Sequence, residues 1–423
     1  MKSALAFTVL ATLAVAAPAP AKQAESLNFQ KRLDGPVTVP LKHASMRGIG
    51  AFEKSKLHLA AKYPQFFDNE ALETLQKRAG DLQLHDVEPD QLWVAPTSFG
   101  TPPQDLPLLV DTGSAALWAF STKCQGCGTG AFDVTKSSTF VNTSEPASYA
   151  YGSGATTIQG WHVKDTVGIS GVTTENAEFA VIDAETNAKL DKTSAGLSGW
   201  SWPFTDEDGK IANPVPYIQA KNKQWSEPVF GVYLNRKNPR AEAHGTQSKG
   251  DGALTVSGVD HQYFDGELTW TPRREDKKRA EFAWLIDFPH FTANGKQRDL
   301  DPSSLAILDT GTTLVFGPPD DVRAFWSSVP GAIDNNDGTW TVDCNRTDIR
   351  ASFNLAGKDW EFDPTDLIFE DEPGKCFGAI IYQMSMWPLG AKWLVGGTFL
   401  KNVYTAFQYD PPQVGLAKLK EGL

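Results

Sequence analysis

The sequence predicts an all-β protein made of two related lobes. Short apolar runs such as residues 179–182 (FAVI) and 252–256 (GALTV) fill the body of the chain. Gly, Asn, Asp or Pro interrupts such runs every roughly 8–12 residues, a pattern typical of strands joined by turns. The pentapeptide at 110–114 (VDTGS) returns in the second half of the chain at 308–312 (LDTGT). Each half therefore contains one copy of the same local structure.

A second repeated feature supports this duplication. Residues 196–200 (GLSGW) follow the first pentapeptide, and residues 393–397 (WLVGG) follow the second at nearly the same distance. Two pairs of similar motifs at matching spacing rarely arise by chance. The sequence thus indicates two lobes of common design.

Each pentapeptide places a carboxylate where an apolar run ends and a Thr-Gly turn begins. The preceding runs, 108–110 (LLV) and 305–308 (LAIL), are typical of buried strands. A buried carboxylate is destabilising unless it is paired or hydrogen-bonded. Because Asp111 and Asp309 occur in the same setting, we expect them to meet and act together as a catalytic pair.

Further motifs stand in a characteristic order along the chain. Residues 99–104 (FGTPPQ) precede the first Asp-Thr-Gly, and Leu117-Trp118, 149–154 (YAYGSG), 165–167 (DTV) and 232–234 (VYL) follow it. With these motifs, the chain from about Phe99 to the C-terminus resembles the pepsin-like aspartic peptidases, including fungal secreted and vacuolar members. The resemblance implies the bilobal pepsin-like acid protease fold, with two β-barrel-like lobes and a cleft between them.

The resemblance also implies an activity and a set of site residues. The protein is expected to be an aspartic endopeptidase, a hydrolase that cuts protein or peptide substrates at acidic pH with a water activated between Asp111 and Asp309. It implies neither a metal nor an organic cofactor. Trp118 is expected either to contact the flap tyrosine or to serve as a plain core residue. Positions matching the family's active-site support are Thr112, Gly113, Ser114, Thr310, Gly311 and Thr312, and positions matching its flap hairpin are Tyr151, Gly152 and Ser153.

Three departures from the common family pattern leave other functions to weigh. Gly397 stands where many relatives carry Asp, Ala115-Ala116 replaces polar residues, and Ser198 interrupts an apolar pair before Gly199. A catalytically silent, binding or inhibitor-like member of the fold is the main alternative, although both aspartates and the flap tyrosine are present. A two-carboxylate glycosidase would not require repeated Asp-Thr-Gly turns. No Gly-x-Ser-x-Gly elbow supports a serine hydrolase.

The beginning of the chain predicts export and a removable leader. Residues 1–17 are typical of a secretory signal peptide, and residues 18–78 resemble a pro-segment that ends at Lys77-Arg78. That segment carries 10 Lys/Arg and 6 Asp/Glu, whereas the whole chain has a net charge of −12. A basic leader can dock on an acidic body, which predicts a zymogen inhibited by its own pro-segment; a flexible basic linker is the alternative. We assign 79–265 to the N-terminal lobe and 266–423 to the C-terminal lobe.

The four cysteines and two acceptor sequences suit an oxidising compartment. Four cysteines allow three pairings, and the family pattern implies Cys124 with Cys127 and Cys344 with Cys376. Asn142 and Asn345 begin Asn-x-Ser/Thr sequences and are candidate glycosylation sites of a glycoprotein. The expected location is extracellular, with the vacuole as the alternative.

The remaining expectations concern partners and local structure. An acidic body argues against a nucleic-acid partner, no further segment is long enough to cross a membrane, and the protein is expected to be a monomer. Residues 320–328 and 51–78 are the predicted helices. The charged run 273–279 (RREDKKR) predicts a solvated loop.

Overall fold

The computed structural model describes residues 32–44, 92–151, 156–186, 194–205, 211–276, 280–372, 374–382 and 392–423. The predicted all-β class is confirmed. The first half contains strands β1 (Val37–Ala44), β2 (Leu92–Phe99), β3 (Gln104–Asp111), β4 (Leu117–Phe120), β5 (Val141–Tyr151), β6 (Thr156–Ile169), β7 (Val172–Thr186), β8 (Gly196–Gly199), β9 (Phe204–Thr205), β10 (Ile211–Ala212), β11 (Val229–Tyr233) and β12 (Gly252–Val256).

The second half continues with strands that are mostly short. They are β13 (Phe264–Pro272), β14 (Leu285–Asp287), β15 (His290–Ala293), β16 (Lys296–Asp299), β17 (Leu305–Leu308), β18 (Val315–Phe316), β19 (Ile333–Asp334), β20 (Trp340–Thr341), β21 (Ala351–Leu355), β22 (Lys358–Glu361), β23 (Ile368–Glu372), β24 (Lys375–Gly378), β25 (Ile380–Ile381), β26 (Lys392–Val395), β27 (Val403–Gln408) and β28 (Gln413–Leu419).

One large sheet joins strands from both ends of the chain. Its order is β13-β28-β27-β11-β12-β1-β2-β3-β8-β4-β7-β6-β5. The pairing of β11 with β27 brings the last strands of the chain beside strands of the first half. Four smaller sheets complete the described fold, in the orders β10-β9, β14-β17-β26-β18-β25, β16-β15-β21-β22 and β19-β20-β24-β23.

The duplicated motifs form the same local topology twice. In the first half, β8 runs parallel to β3 and antiparallel to β4. In the second half, β26 runs parallel to β17 and antiparallel to β18. We call Gly199 and Gly396, the matching glycines of the second repeated motif, the echo glycines. The strand that leads to each of them therefore lies between the two strands on either side of an Asp-Thr-Gly turn.

Helices are few and short among the described residues. They are α1 (Val215–Lys221), α2 (Pro239–His244), α3 (Pro319–Ser327) and α4 (Gly397–Leu400). The predicted helix at 320–328 corresponds to α3. Pro319 occupies its first turn, where a missing N–H costs nothing, and Val322, Phe325 and Trp326 are its buried apolar face. We find no helix in the described ranges that is long and apolar enough to cross a bilayer.

Aromatic side chains dominate the interior. Phe99, Phe132 and Phe179 pack together in the first half. A second group packs between the two halves through Phe230 and Trp284, whose ring centroids lie 5.9 Å apart. Aromatic rings bury large areas and fix one another's orientation through tilted and edge-on contacts.

Both expected disulfides are present. Cys124 bonds Cys127 with an S–S distance of 1.96 Å, and Cys344 bonds Cys376 with an S–S distance of 2.02 Å. Arg273, in contrast, is buried rather than solvated, so the prediction of a solvated loop is wrong at this residue. Its guanidinium stacks 4.5 Å from the ring of Trp202 and donates to the carbonyl of Ala283.

Several predicted segments lie outside the described residues. These are the signal peptide at 1–17, most of the leader including the helix at 51–78 and the Lys77-Arg78 site, and the flap residues Gly152 and Ser153. The leader strand β1 lies within the described part, between β12 and β2.

Candidate active site

Asp111 lies at the end of β3 and is almost completely buried, with 1% of its surface exposed. The backbone N–H of Gly113 donates to its Oδ1 at 2.9 Å, and the hydroxyl of Ser114 donates to its Oδ2 at 2.8 Å. Hydrogen bonds to an ionised carboxylate stabilise the charged form. The turn after the strand therefore compensates for the burial of the acid.

Asp309 follows β17 and has the same environment. It is fully buried, its Oδ1 accepts from the N–H of Gly311 at 2.9 Å, and its Oδ2 accepts from the hydroxyl of Thr312 at 2.5 Å. The two carboxylates thus receive one backbone and one hydroxyl donor each, at matching positions of the repeated motif.

The two threonines of the motifs connect the halves. The backbone N–H of Thr112 donates to the hydroxyl of Thr310 at 3.1 Å, and the N–H of Thr310 donates to the hydroxyl of Thr112 at 3.0 Å. The same hydroxyls then donate across the interface, from Thr112 to the carbonyl of Leu308 and from Thr310 to the carbonyl of Val110. These four bonds bring the two Asp-Thr-Gly turns, which are far apart in sequence, into direct contact.

Glycine is required at positions 199 and 396 because the backbone of the neighbouring turn comes very close there. A Cβ on Gly199 would lie 2.5 Å from the carbonyl oxygen of Ser114, and a Cβ on Gly396 would lie 2.3 Å from the carbonyl oxygen of Thr312. Real Cβ atoms do not approach other atoms this closely. Each Asp-Thr-Gly turn therefore packs directly on the backbone at the end of β8 or β26. This explains why an apolar-Gly motif accompanies each Asp-Thr-Gly.

The tertiary structure explains two of the departures from the family pattern. A Cβ on Gly397 would lie 2.9 Å from Cζ3 of Trp93, so the buried indole fills the space beside this position. The hydroxyl of Ser198 accepts a hydrogen bond from Nε1 of Trp200 at 3.1 Å. Nothing in the structure explains the alanines at 115 and 116.

The hairpin that resembles the flap is formed by β5 and β6. The strands pair in antiparallel register from Val141 with Lys164 to Tyr151 with Thr156. Tyr151 is therefore the last described residue before the tip, and its side chain lies outside the described part. Trp118 is buried in β4 and packs edge-on against Phe120 at 5.2 Å.

Three tryptophans near the Asp-Thr-Gly turns were not predicted from the sequence. Trp93 packs on Gly397, the N–H of Trp200 donates to the carbonyl of Asp111 at 2.7 Å, and the carbonyl of Trp284 accepts from Leu308. The unusual Trp after the first echo glycine was a signal for Trp200. The contacts of Trp93 and Trp284 depend on residues distant in sequence.

The site contains two buried aspartates on related, cross-linked turns, as the resemblance to the pepsin-like aspartic peptidases predicts. Comparison with known proteins agrees, because the model of the family described as eukaryotic aspartyl protease matches residues 93–419. The chain belongs to this family. It is therefore an aspartic endopeptidase, and its substrates are proteins or peptides.

Individual relatives extend over most of the chain. Major aspartyl peptidase 1 of Cryptococcus neoformans is 29% identical over 364 residues, which cover 82% of this chain and 73% of the relative. Rhizopuspepsin-1 of Rhizopus niveus is 30% identical over 342 residues, covering 80% and 82%. Cathepsin E of Aquarana catesbeiana is 29% identical over 394 residues, covering 90% and 93%.

Proposed function

We propose that Asp111 and Asp309 hydrolyse peptide bonds by activating one water between them. One carboxylate acts as a base toward the water, and the other carries a proton and hydrogen-bonds the substrate carbonyl. The observation that supports this most directly is the cross-linking of the two turns by Thr112 and Thr310, since it holds the acids on one shared structural unit.

The proposed pair operates in acid because it must hold a single proton. Two carboxylates close together cannot both ionise easily, so their two pKa values separate, and the aspartic-protease dyad is the standard example of this effect. The charge belongs to the pair rather than to either residue. The matching bonds from Gly113 and Ser114 to Asp111, and from Gly311 and Thr312 to Asp309, support this sharing.

The mechanism is tested by changing Asp309 to Asn. We expect cleavage of an acid-denatured protein to be abolished while the fold is kept, because Asn has nearly the same shape but cannot exchange the proton. Asp334→Asn is the matched control, since Asp334 is exposed and accepts a bond from the N–H of Asn336 in its own turn. Near-normal cleavage by the Asp309 variant would defeat the mechanism. An unaltered chain that has lost its pro-segment and is still inactive in acid would support the silent-homologue alternative.

We further propose that the enzyme is made as a zymogen. Strand β1, which belongs to the expected pro-segment, pairs with β12 from Val37 to Leu41 and with β2 from Lys42 to Ala44. Leu41 is fully buried there. A basic leader held by backbone pairing to an acidic body fits an intramolecular inhibitor, and protonation of carboxylates in acid would weaken the attraction.

Zymogen conversion is tested by following the purified precursor at neutral and acidic pH. We expect the uncleaved chain to be inactive at neutral pH, and acid to release a product that begins near Ala79, as read by N-terminal sequencing. An uncleaved precursor with full activity would contradict the proposal.

Secretion and glycosylation are also proposals. Asn142 and Asn345 are both exposed, and the two disulfides fit an oxidising compartment. Mass measurement before and after removal of N-linked glycans, on protein collected from the medium, tests both. We also propose, as a separate point, that residues 79–265 and 266–423 form the N-terminal and C-terminal lobes.

A further inference from the structure

We propose that Trp284, Trp200 and Ser198 form a tryptophan brace that positions Asp111 relative to Asp309. This inference rests on the proposed dyad mechanism and adds positioning residues to it. The brace consists of hydrogen bonds that are separate from those of the threonines, and it links the main chain of one catalytic turn to the main chain of the other.

The path of the brace can be followed atom by atom. The backbone N–H of Trp200 donates to the carbonyl of Asp111 at 2.7 Å. The carbonyl of Trp200 accepts from Nε1 of Trp284 at 2.9 Å. The carbonyl of Trp284 accepts from the N–H of Leu308 at 3.1 Å, and Leu308 directly precedes Asp309. Three hydrogen bonds therefore connect the two aspartates through one indole side chain.

Ser198 fixes the orientation of the indole of Trp200. Its hydroxyl accepts from Nε1 of Trp200 at 3.1 Å, and both side chains are buried. Ser198 lies opposite Val110 in the parallel pair of β8 and β3. The polar residue in an otherwise apolar strand thus satisfies the buried indole N–H beside the catalytic turn.

Aromatic packing restricts movement of the brace. The ring of Phe230 lies 4.9 Å from that of Trp200 and 5.9 Å from that of Trp284. Trp284 also meets Trp202 edge-on at 5.5 Å, and Arg273 stacks on Trp202 while bonding the carbonyl just before Trp284. Closely packed interiors resist displacement. The indole of Trp284 therefore keeps the distance between the two turns fixed.

The brace and the threonines act on the same short segments. The carbonyl of Leu308 accepts from Thr112, whereas its N–H donates to Trp284. Thr310 holds the carbonyl of Val110, and Trp200 holds the next carbonyl, that of Asp111. The threonine bonds hold the carbonyls of Leu308 and Val110, and the brace holds a different main-chain group of each segment. The brace supplies the second restraint and thereby limits rotation of the aspartates.

Trp284→Phe tests the proposal because it removes the indole N–H and keeps an aromatic ring. Trp326→Phe is the matched control. Trp326 is also buried, its Nε1 donates to the backbone carbonyl of Ile380 at 2.6 Å, and its ring packs against those of Phe325 and Trp340. Each change removes one buried donor and leaves one oxygen unpaired, but only the Trp284 bond connects the catalytic turns.

We expect Trp284→Phe to lower kcat by about tenfold or more, because small misplacements of catalytic groups are costly. KM for a short peptide should change little, and the pH profile of kcat/KM should shift because the spacing of the aspartates sets the separation of their pKa values. Trp326→Phe should lower the midpoint of urea unfolding to a similar extent while keeping kcat and the pH profile. A Trp284 variant with the kinetics of the control would overturn the proposal.

Ser198→Ala provides a second measurement if Trp284→Phe does not fold. It removes only the acceptor for Trp200, and we expect a smaller loss of kcat with a pH-profile shift in the same direction. Where Trp284→Phe does fold, the two losses should be less than additive in the double variant, because both changes act on one connected unit. Full additivity or an unchanged pH profile would overturn the brace. Activity retained by Asp309→Asn would instead overturn the dyad mechanism, so the two failures are distinguishable.

Discussion

Replacing Asp366 by Asn should destabilise the protein strongly. Asp366 lies in the 3-10 turn Pro364–Leu367, and its side chain is fully buried. Its Oδ2 accepts from Nη2 of Arg236 at 2.7 Å, and its Oδ1 accepts from Nζ of Lys401 at 2.9 Å. Arg236 follows β11 in the first half, whereas Lys401 follows α4. One carboxylate therefore neutralises two cations that are far apart in sequence.

The magnitude follows from the burial of all three groups. The side chains of Arg236 and Lys401 are 12% and 7% exposed. Removing one member of a buried ion pair costs about 3–5 kcal/mol, because an uncompensated charge remains. After Asp366→Asn, the nearest remaining acid of the cluster is Asp363, at 3.8 Å from Arg236. It can offset part of the charge of Arg236, so we expect a value in the lower half of that range.

The effect should depend on pH in a defined direction. Burial by itself would raise the pKa of Asp366, but the charges of Arg236 and Lys401 and the hydrogen bonds from both hold it below its ordinary value. A depressed carboxyl pKa contributes stability that is complete above the unfolded-state value, about 3.9. That contribution is lost only as the pH falls through the lower folded-state pKa. The difference between variant and parent should therefore stay constant from about pH 7 to pH 5 and shrink only in stronger acid.

Urea unfolding in an Asp309→Asn background is the suitable assay, because that change should prevent self-digestion in acid. Asp348→Asn serves as the control, since Asp348 is exposed and its ion pair with Arg346 is screened by solvent. We expect a large loss for Asp366→Asn and little change for the control at pH 6. A loss below about 1 kcal/mol, or one that disappears already near pH 5, would refute the reasoning.

Two further predictions concern the catalytic turns. Thr310→Val keeps the shape of the side chain but leaves the N–H of Thr112 and the carbonyl of Val110 unpaired. We therefore expect the free energy of unfolding in urea to fall by about 1–3 kcal/mol per group, and kcat to fall as well. Unchanged values of both would contradict the role of the cross-link. Gly397→Ala places a Cβ 2.9 Å from Trp93 and should cost about 1–3 kcal/mol by overpacking. Trp93→Phe removes the ring atoms in question, so the double variant should recover part of that loss, and purely additive losses would argue against the contact.

The repeated pentapeptides allowed the pair of acids to be predicted because the reason for the pattern is local. An apolar strand that ends in Asp-Thr-Gly carries its own donors, and the structure shows them bonding Asp111 and Asp309 in matching ways. The echo glycines were also evident from spacing, since Gly199 and Gly396 are required wherever such a turn packs on a backbone. The cysteine pairs followed from the resemblance to a known family.

Other features could not be predicted, because their partners are distant in sequence. Arg273 belongs to a charged run typical of a solvated loop, yet it is buried. Its guanidinium stacks on Trp202 and donates to the carbonyl of Ala283, and neither partner is near it in the charged run. Trp93 beside Gly397 is a contact between opposite ends of the chain, and nothing local in either residue indicates it.

The sequence by itself thus predicted two acids with their turn residues, and it predicted the family to which the chain belongs. Tertiary structure alone decided how the acids are held, through the exchange of threonine bonds and the bond from Trp284 to Trp200. It also decided the buried ion cluster around Asp366, whose partners are distant in sequence. The physical reason is that a turn hydrogen-bonds to its own neighbours, which the sequence displays. A bond between two folded halves exists only after both have packed, and its geometry depends on every side chain between them.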